Sequence, residues 1–229
     1  MRAASIVAAL LCAGGACDTG AVAAADDLAA RAREIQNACF ALYPRELLAR
    51  MATDDGTPSE EVRGDPALQQ EYLKGEEVVA KGLFYPARLE EVLPALEALA
   101  GEGVRFLDLG SGDGRVVFLA ALTGARATGI EYDRTLHRVA RDCRRALEKM
   151  LPLQRIELRR GDFFREDWSR YDVIFYYVDG SFNQTGIQQK LLRELREDAL
   201  LLLYHPQEPF PGVEEVAFYG EVHVFRRSP

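Results

Sequence analysis

The sequence predicts an α/β fold: a mostly parallel, doubly wound sheet that ends in an antiparallel hairpin, with a helical extension at the N-terminus. Three observations predict it. Short apolar runs alternate with stretches of helical periodicity from Phe106 to Tyr204. One of these runs opens into a glycine turn, FLDLGSGDGR at 106–115. Near the C-terminus, two more apolar runs flank Tyr219-Gly220-Glu221, a hairpin signal.

Phe106, Leu107 and Leu109 form the first buried strand, and Gly110, Gly112 and Gly114 separate it from a helical stretch at Val116 to Leu122. Glycines there admit positive φ and close approach of a ligand, while the helix start offers unpaired N–H groups. Ala127 to Ile130 is the second strand and runs into Glu131, Tyr132 and Asp133. Arg134 to Met150 is helical, with Leu136, Val139, Ala140, Cys143 and Leu147 at spacings of three and four. Ile156 to Leu158 is the third strand, followed by Arg159, Arg160, Gly161, Asp162 and Phe163. Tyr171 to Val178 is apolar on both faces, as a central parallel strand requires. An amphipathic helix at Gln188 to Arg196, a fifth strand at Ala199 to Tyr204 and the hairpin strands Val213 to Phe218 and Val222 to Phe225 complete the order.

The glycine spacing distinguishes between cofactors. A dinucleotide fingerprint reads G-x-G-x-x-G, with a pyrophosphate at the helix start. Here the pattern is G-x-G-x-G, and Asp108 stands before the first glycine. A carboxylate repels pyrophosphate but suits a ligand that carries an ammonium group and no phosphate, such as S-adenosylmethionine (SAM). Asp108, Gly110, Gly112 and Gly114, with Ser111 inside the turn, resemble motif I of the class I SAM-dependent methyltransferases. The expected fold is therefore their Rossmann-like sheet. Glu131, at the tip of the second strand, is placed to bind both ribose hydroxyls. Gly161-Asp162-Phe163 resembles the family's third motif, which implies that Asp162 accepts from the adenine amino group beside Phe163.

Gly82 to Pro86 (GLFYP), followed by the helical Arg88 to Leu99, resembles the Y-x-P segment of a bacterial and mitochondrial branch of protein-lysine methyltransferases, itself similar to the non-SET histone-lysine enzymes. The likeness implies that Tyr85 lies over the methionine end of the cofactor, although here the tyrosine directly precedes Pro86. The resemblance covers residues 83–229. In an open α/β sheet the crevice lies beyond the carboxyl ends of the strands, so Val178 to Gln184 borders the transferred methyl. This loop lacks the D/N-P-P-Y that amino-group methyltransferases of DNA and of some proteins place here, which argues against methylation of the exocyclic amines of adenine or cytosine. Asp179, Tyr177, Asn183 and Tyr85 are the candidate catalytic residues, and the expected acceptor is an amine, a protein lysine in particular. A small-molecule acceptor is the nearest alternative, and a non-catalytic exported domain that keeps the fold is another. The intact Asp108, glycines, Glu131 and Asp162 argue for activity. His205 follows the fifth strand, where an imidazole can take a proton. His137 and His223 receive no function.

The chain has 229 residues and a formal net charge of −8, which suits one catalytic domain and argues against a broad nucleic-acid face. Met1-Arg2, the apolar Ala3 to Ala13 and the small residues Ala21 to Ala25 ahead of Asp26 resemble a secretory signal peptide. That stretch is too short and too interrupted by glycine for a membrane span. Gly14 stands where a lipoprotein box before Cys17 has a large aliphatic residue, which argues against lipidation. The expected organisation is a signal-like segment at 1–25, a helical extension and linker at 26–82, and the methyltransferase domain at 83–229. Export to a periplasmic or external compartment follows from the first segment, and a cytoplasmic site from a start at Met51, which would keep every motif. Leu28 to Leu48 reads as a helix and Met51 to Gly64 as a linker. Outside the signal-like segment, Cys39 and Cys143 read as small buried residues, whose pairing would suit an exported protein. No cysteine or histidine spacing suggests a metal.

Overall fold

The computed structural model describes residues 19–51, 63–67, 69, 84–178, 186–206 and 212–228. Seven strands form one sheet: β1 (Arg105–Leu109), β2 (Arg126–Glu131), β3 (Ile156–Arg160), β4 (Val173–Tyr177), β5 (Leu200–Tyr204), β6 (Val213–Tyr219) and β7 (Val222–Arg227). Their order is β3-β2-β1-β4-β5-β7-β6. The first five are parallel, and β7 joins antiparallel to both β5 and β6. The order reverses between β1 and β4, which opens a crevice at their carboxyl ends, the place where ligands bind in such sheets.

The period of two along each strand divides the core between the two faces. Phe106, Val173, Phe175, Leu200, Leu202 and Tyr204 pack on one side, and Leu107, Leu109, Ile174, Tyr176, Leu201 and Leu203 on the other. The second face is covered by Trp168, Tyr171 and the helix at Ile187–Glu194, through Ile187 and Leu191. The first face carries further α-helices among the described residues. These are α1 (Thr19–Phe40), α2 (Arg45–Leu48), α3 (Leu89–Leu99), α4 (Arg115–Leu122) and α5 (Arg134–Leu147), with the second-face helix numbered α6. By this alternation Asp108 shares the helix-covered face with Phe106.

The single helix expected over Leu28 to Leu48 is broken. α1 ends at Phe40, and a separate short helix begins at Arg45, after Pro44. Proline lacks an N–H and disfavours helical geometry in the residue before it, so Tyr43 and Pro44 turn the chain. α5 stops at Leu147 rather than Met150, where Glu148 takes the cap position. β3 runs two residues beyond the expected Leu158, and β4 is the shorter Val173–Tyr177 within the apolar run.

α1 contacts α3, α4 and α5. Ala32, Ile35 and Cys39 are its buried stripe, and Cys39 and Cys143 are both free and buried. Burial, and then the neighbouring Cys143, hold the Cys39 thiol well above the ordinary range. Among the described residues no helix is long and apolar enough to cross a membrane. The signal-like segment up to residue 18, most of the linker and most of the loop after β4 lie outside the described residues.

Candidate active site

The glycine loop is shaped for close approach. Gly110, Gly112 and Gly114 all have positive φ. A Cβ on Gly110 would meet nothing within 4 Å, so this residue borders open space. At Gly112, with φ +55°, a Cβ would stand 3.0 Å from the Phe84 ring. Gly114 serves packing instead: its Cβ would stand 2.9 Å from Phe118. The loop is pinned to β2 by the Gly110 and Ser111 N–H groups, which donate to the Ile130 carbonyl at 3.0 and 3.1 Å.

A cavity of about 810 Å³ opens beside this loop, within the range typical of small-molecule sites. Asp108, Gly110, Ser111, Gly112, Glu131, Phe163, Tyr85 and Tyr177 line it, so eight of the expected site residues are brought together at one crevice. Asp162 lies between two lining residues, Gly161 and Phe163, and its Oδ1 accepts from the Phe164 N–H at 2.9 Å. Asp179 and Asn183 lie outside the described residues. His205 is not part of the lining. It has a positive φ of 54° at the end of β5, with its ring centroid 4.0 Å from that of Tyr204 and its Nε2 3.7 Å from Glu91.

The carboxylates of the cavity are buried. Asp108 is 3% exposed, and burial raises its pKa well above the ordinary carboxylate value, with the charges of Glu131 and Asp113 adding to the effect. Among the described residues no protein group donates a hydrogen bond to its carboxylate. Glu131 is also raised, first by burial, but it is held. Its Oε2 accepts from the Gly112 N–H at 2.8 Å and its Oε1 from the Asp133 N–H at 2.7 Å. Such a cluster fits a ligand that brings positive charge and no phosphate, which is the charge pattern of SAM.

Two groups of residues at this site escaped the sequence reading. Asp113 and Arg115 lie within the glycine motif and pair at 2.8 Å, both nearly sealed from solvent. Tyr43, from the turn after α1, donates to Asp113 Oδ2 at 2.5 Å and accepts from Arg115 Nη2. Burial and the Asp113 charge raise the Tyr43 phenol far above its usual range. Burial opposes the charge on Arg115, yet Asp113 outweighs it and keeps the guanidinium charged. Arg50 also lines the cavity and pairs with Asp133 at 2.8 Å. The motif letters G-D-G-R were visible, but nothing near Tyr43 or Arg50 in the chain announces that they reach this loop.

The aromatic wall stands at the ends of β4 and β5. Tyr85 and Tyr177 have ring centroids 6.1 Å apart in an edge arrangement, and Tyr177 packs 4.8 Å from Tyr204. Tyr204 in turn donates to Glu91 at 2.5 Å. Arg134 and Arg160 line the opposite, β2–β3 side of the cavity.

The family model of the ANTKMT methyltransferase domain matches residues 108–205, which spans Asp108, the glycine loop, Glu131, Asp162 and Tyr177. Among solved structures, a point variant of MtNAS in complex with SAM is 13% identical, with a TM-score of 0.50 over 74% of this chain and 70% of that one. An RNA methyltransferase from Salinibacter ruber in complex with S-adenosylhomocysteine is 30% identical over 62% of this chain and 92% of that one, with a TM-score of 0.48. Magnesium protoporphyrin IX methyltransferase from Synechocystis PCC 6803 with bound SAM is 15% identical over 61% and 78%, with a TM-score of 0.45. No curated protein matches the chain. With its strand order, its G-x-G-x-G loop and the family model that matches residues 108–205, the chain belongs to the class I SAM-dependent methyltransferases.

Proposed function

We propose that this methyltransferase acts on an amine, the side chain of a lysine in a protein substrate. The observation that carries the reading is the placement of Tyr85 and Tyr177 on the wall of the same cavity as Asp108 and Gly112. In this reading Asp108 meets the cofactor ammonium, Glu131 the ribose hydroxyls, and Asp162 with Phe163 the adenine. SAM supplies a methyl group on a positively charged sulfur. The chain's own residues must then deliver a neutral nitrogen in line with it. A lysine is charged in water, and an aromatic wall that excludes water lowers its pKa, favouring loss of the proton before attack. Held in line by these residues, the amine nitrogen would accept the methyl group that SAM supplies, and the extra proton on nitrogen would then have to leave. Asp179, which follows β4 in the sequence, takes the departing proton, and Asn183 orients the amine. The likeness of residues 82–99 to the protein-lysine branch and the absence of D/N-P-P-Y support the same acceptor.

The test is methyl transfer from labelled SAM to candidate proteins, located by mass spectrometry. Lysine methylation is expected, with a rate that rises with pH. Asp179→Ala should lower turnover more than it lowers SAM affinity. Label found only on small hydroxylated compounds, or only on RNA, would replace the lysine reading.

A further inference from the structure

The helical extension is tied to the cofactor cavity through Arg50. This side chain is 7% exposed, lines the cavity, and donates from Nη1 to Asp133 Oδ2 at 2.8 Å. The other oxygen of Asp133 accepts from the Thr135 and Leu136 N–H groups at 2.7 and 3.0 Å, which fixes the carboxylate at the start of α5. The Asp133 backbone N–H in turn donates to Glu131 Oε1, while Gly112 holds Oε2. Arg50, Asp133, Glu131 and Gly112 thus form one bonded chain that runs from the extension to the glycine loop. The backbone repeats the link: the Phe84 N–H donates to the Arg50 carbonyl at 2.8 Å, and the Phe84 ring packs over Gly112.

We infer that Arg50 is a positioning residue for the cofactor: acting through Asp133, it holds Glu131 in the orientation that meets the ribose, so cofactor affinity depends on the N-terminal extension as well as on the methyltransferase motifs. The inference rests on the ribose role of Glu131 given above. The physical reason is geometric. Residues 131–133 leave the end of β2 and must place one carboxylate on a ligand while starting a helix. A buried cation that draws Asp133 to one side fixes that turn. Without it, the Asp133 N–H and the Glu131 carboxylate it orients gain freedom that binding must remove.

The test is a double-mutant cycle in the full chain, with S-adenosylhomocysteine affinity read by isothermal titration at neutral pH. Arg50→Met, which keeps the apolar stem, should weaken binding about tenfold in the parent and less than about twofold in a Glu131→Gln background. Arg50→Lys should recover part of the loss. Equal weakening in both backgrounds would show a general structural effect and overturn the inference, as would an unchanged affinity in Arg50→Met where Glu131→Gln is impaired. Unchanged affinity in Glu131→Gln alone would instead remove the ribose assignment, and the inference with it. Should Arg50→Met not fold, Asp133→Asn, which keeps the helix-cap acceptor and loses the charge that Arg50 meets, takes its place in the same cycle.

Discussion

Replacing Asp108 with asparagine should raise the stability of the ligand-free protein and lower its affinity for cofactor. The carboxylate sits on β1 at 3% exposure, and its raised pKa follows from burial first and from Glu131 and Asp113 second. A carboxyl group whose folded pKa exceeds its unfolded value binds more protons in the folded state, so stability falls as pH rises between the two values. Asparagine has nearly the same shape and no charge, so it removes this penalty. At pH above the ordinary carboxylate range the variant should therefore melt higher than the parent, and below it the two should converge. Each kcal/mol recovered corresponds to about 2–4 °C for a domain of this size. In the proposed reading of the site, binding moves the other way, because the cofactor ammonium would lose a charged partner. Loss of such a hydrogen bond costs about 1.5–3 kcal/mol, or about ten- to 150-fold in Kd. Melting curves at acidic and neutral pH, with and without S-adenosylmethionine, and isothermal titration of the same samples read both effects. A variant that melts lower than the parent at neutral pH without ligand, or that binds cofactor as tightly, would refute the electrostatic account of this cavity.

Three further outcomes follow from the same structure. Gly112→Val should abolish cofactor binding in a folded protein, since its Cβ would crowd Phe84 at 3.0 Å and a β-branched residue at φ +55° adds about 1–3 kcal/mol of strain; undiminished affinity by titration would contradict this. Arg115→Met should destabilise the fold by about 3–5 kcal/mol in urea denaturation, because it strands the buried Asp113, and Asp113→Asn in the same background should restore part of the loss. If the first 25 residues direct export, the protein from its native source should begin near Ala25, ahead of Leu28, which packs against the core; N-terminal sequencing that finds Met1 or Met51 would reject export.

The β-strands were legible because each is a short apolar run closed by a polar or glycine turn, and the alternation with helical periodicity fixes a parallel order. Asp108 and Glu131 were legible for a related reason: both are acidic residues at the buried ends of such runs, where a charge needs a partner. Pro44 was equally visible, yet the apolar stripe from Ile35 to Leu48 continued across it, and periodicity alone joined two helices that the ring separates. Tyr43 and Arg50 mark the limit of local reading. Tyr43 meets Asp113 across 70 residues of chain, and Arg50 meets Asp133 across 83. Nothing in the adjoining PRELLAR, or in the motif letters of Asp113 and Arg115, announces these contacts. Tyr43 and Arg50 follow α1 and α2, and α1 docks on α3, α4 and α5. The Ala32, Ile35 and Cys39 stripe foretells that α1 docks, but the direction of the chain after Pro44 decides what it touches. A start at Met51 would therefore keep every recognisable motif and still lack the tyrosine and the arginine that brace the glycine loop and the turn beyond Glu131.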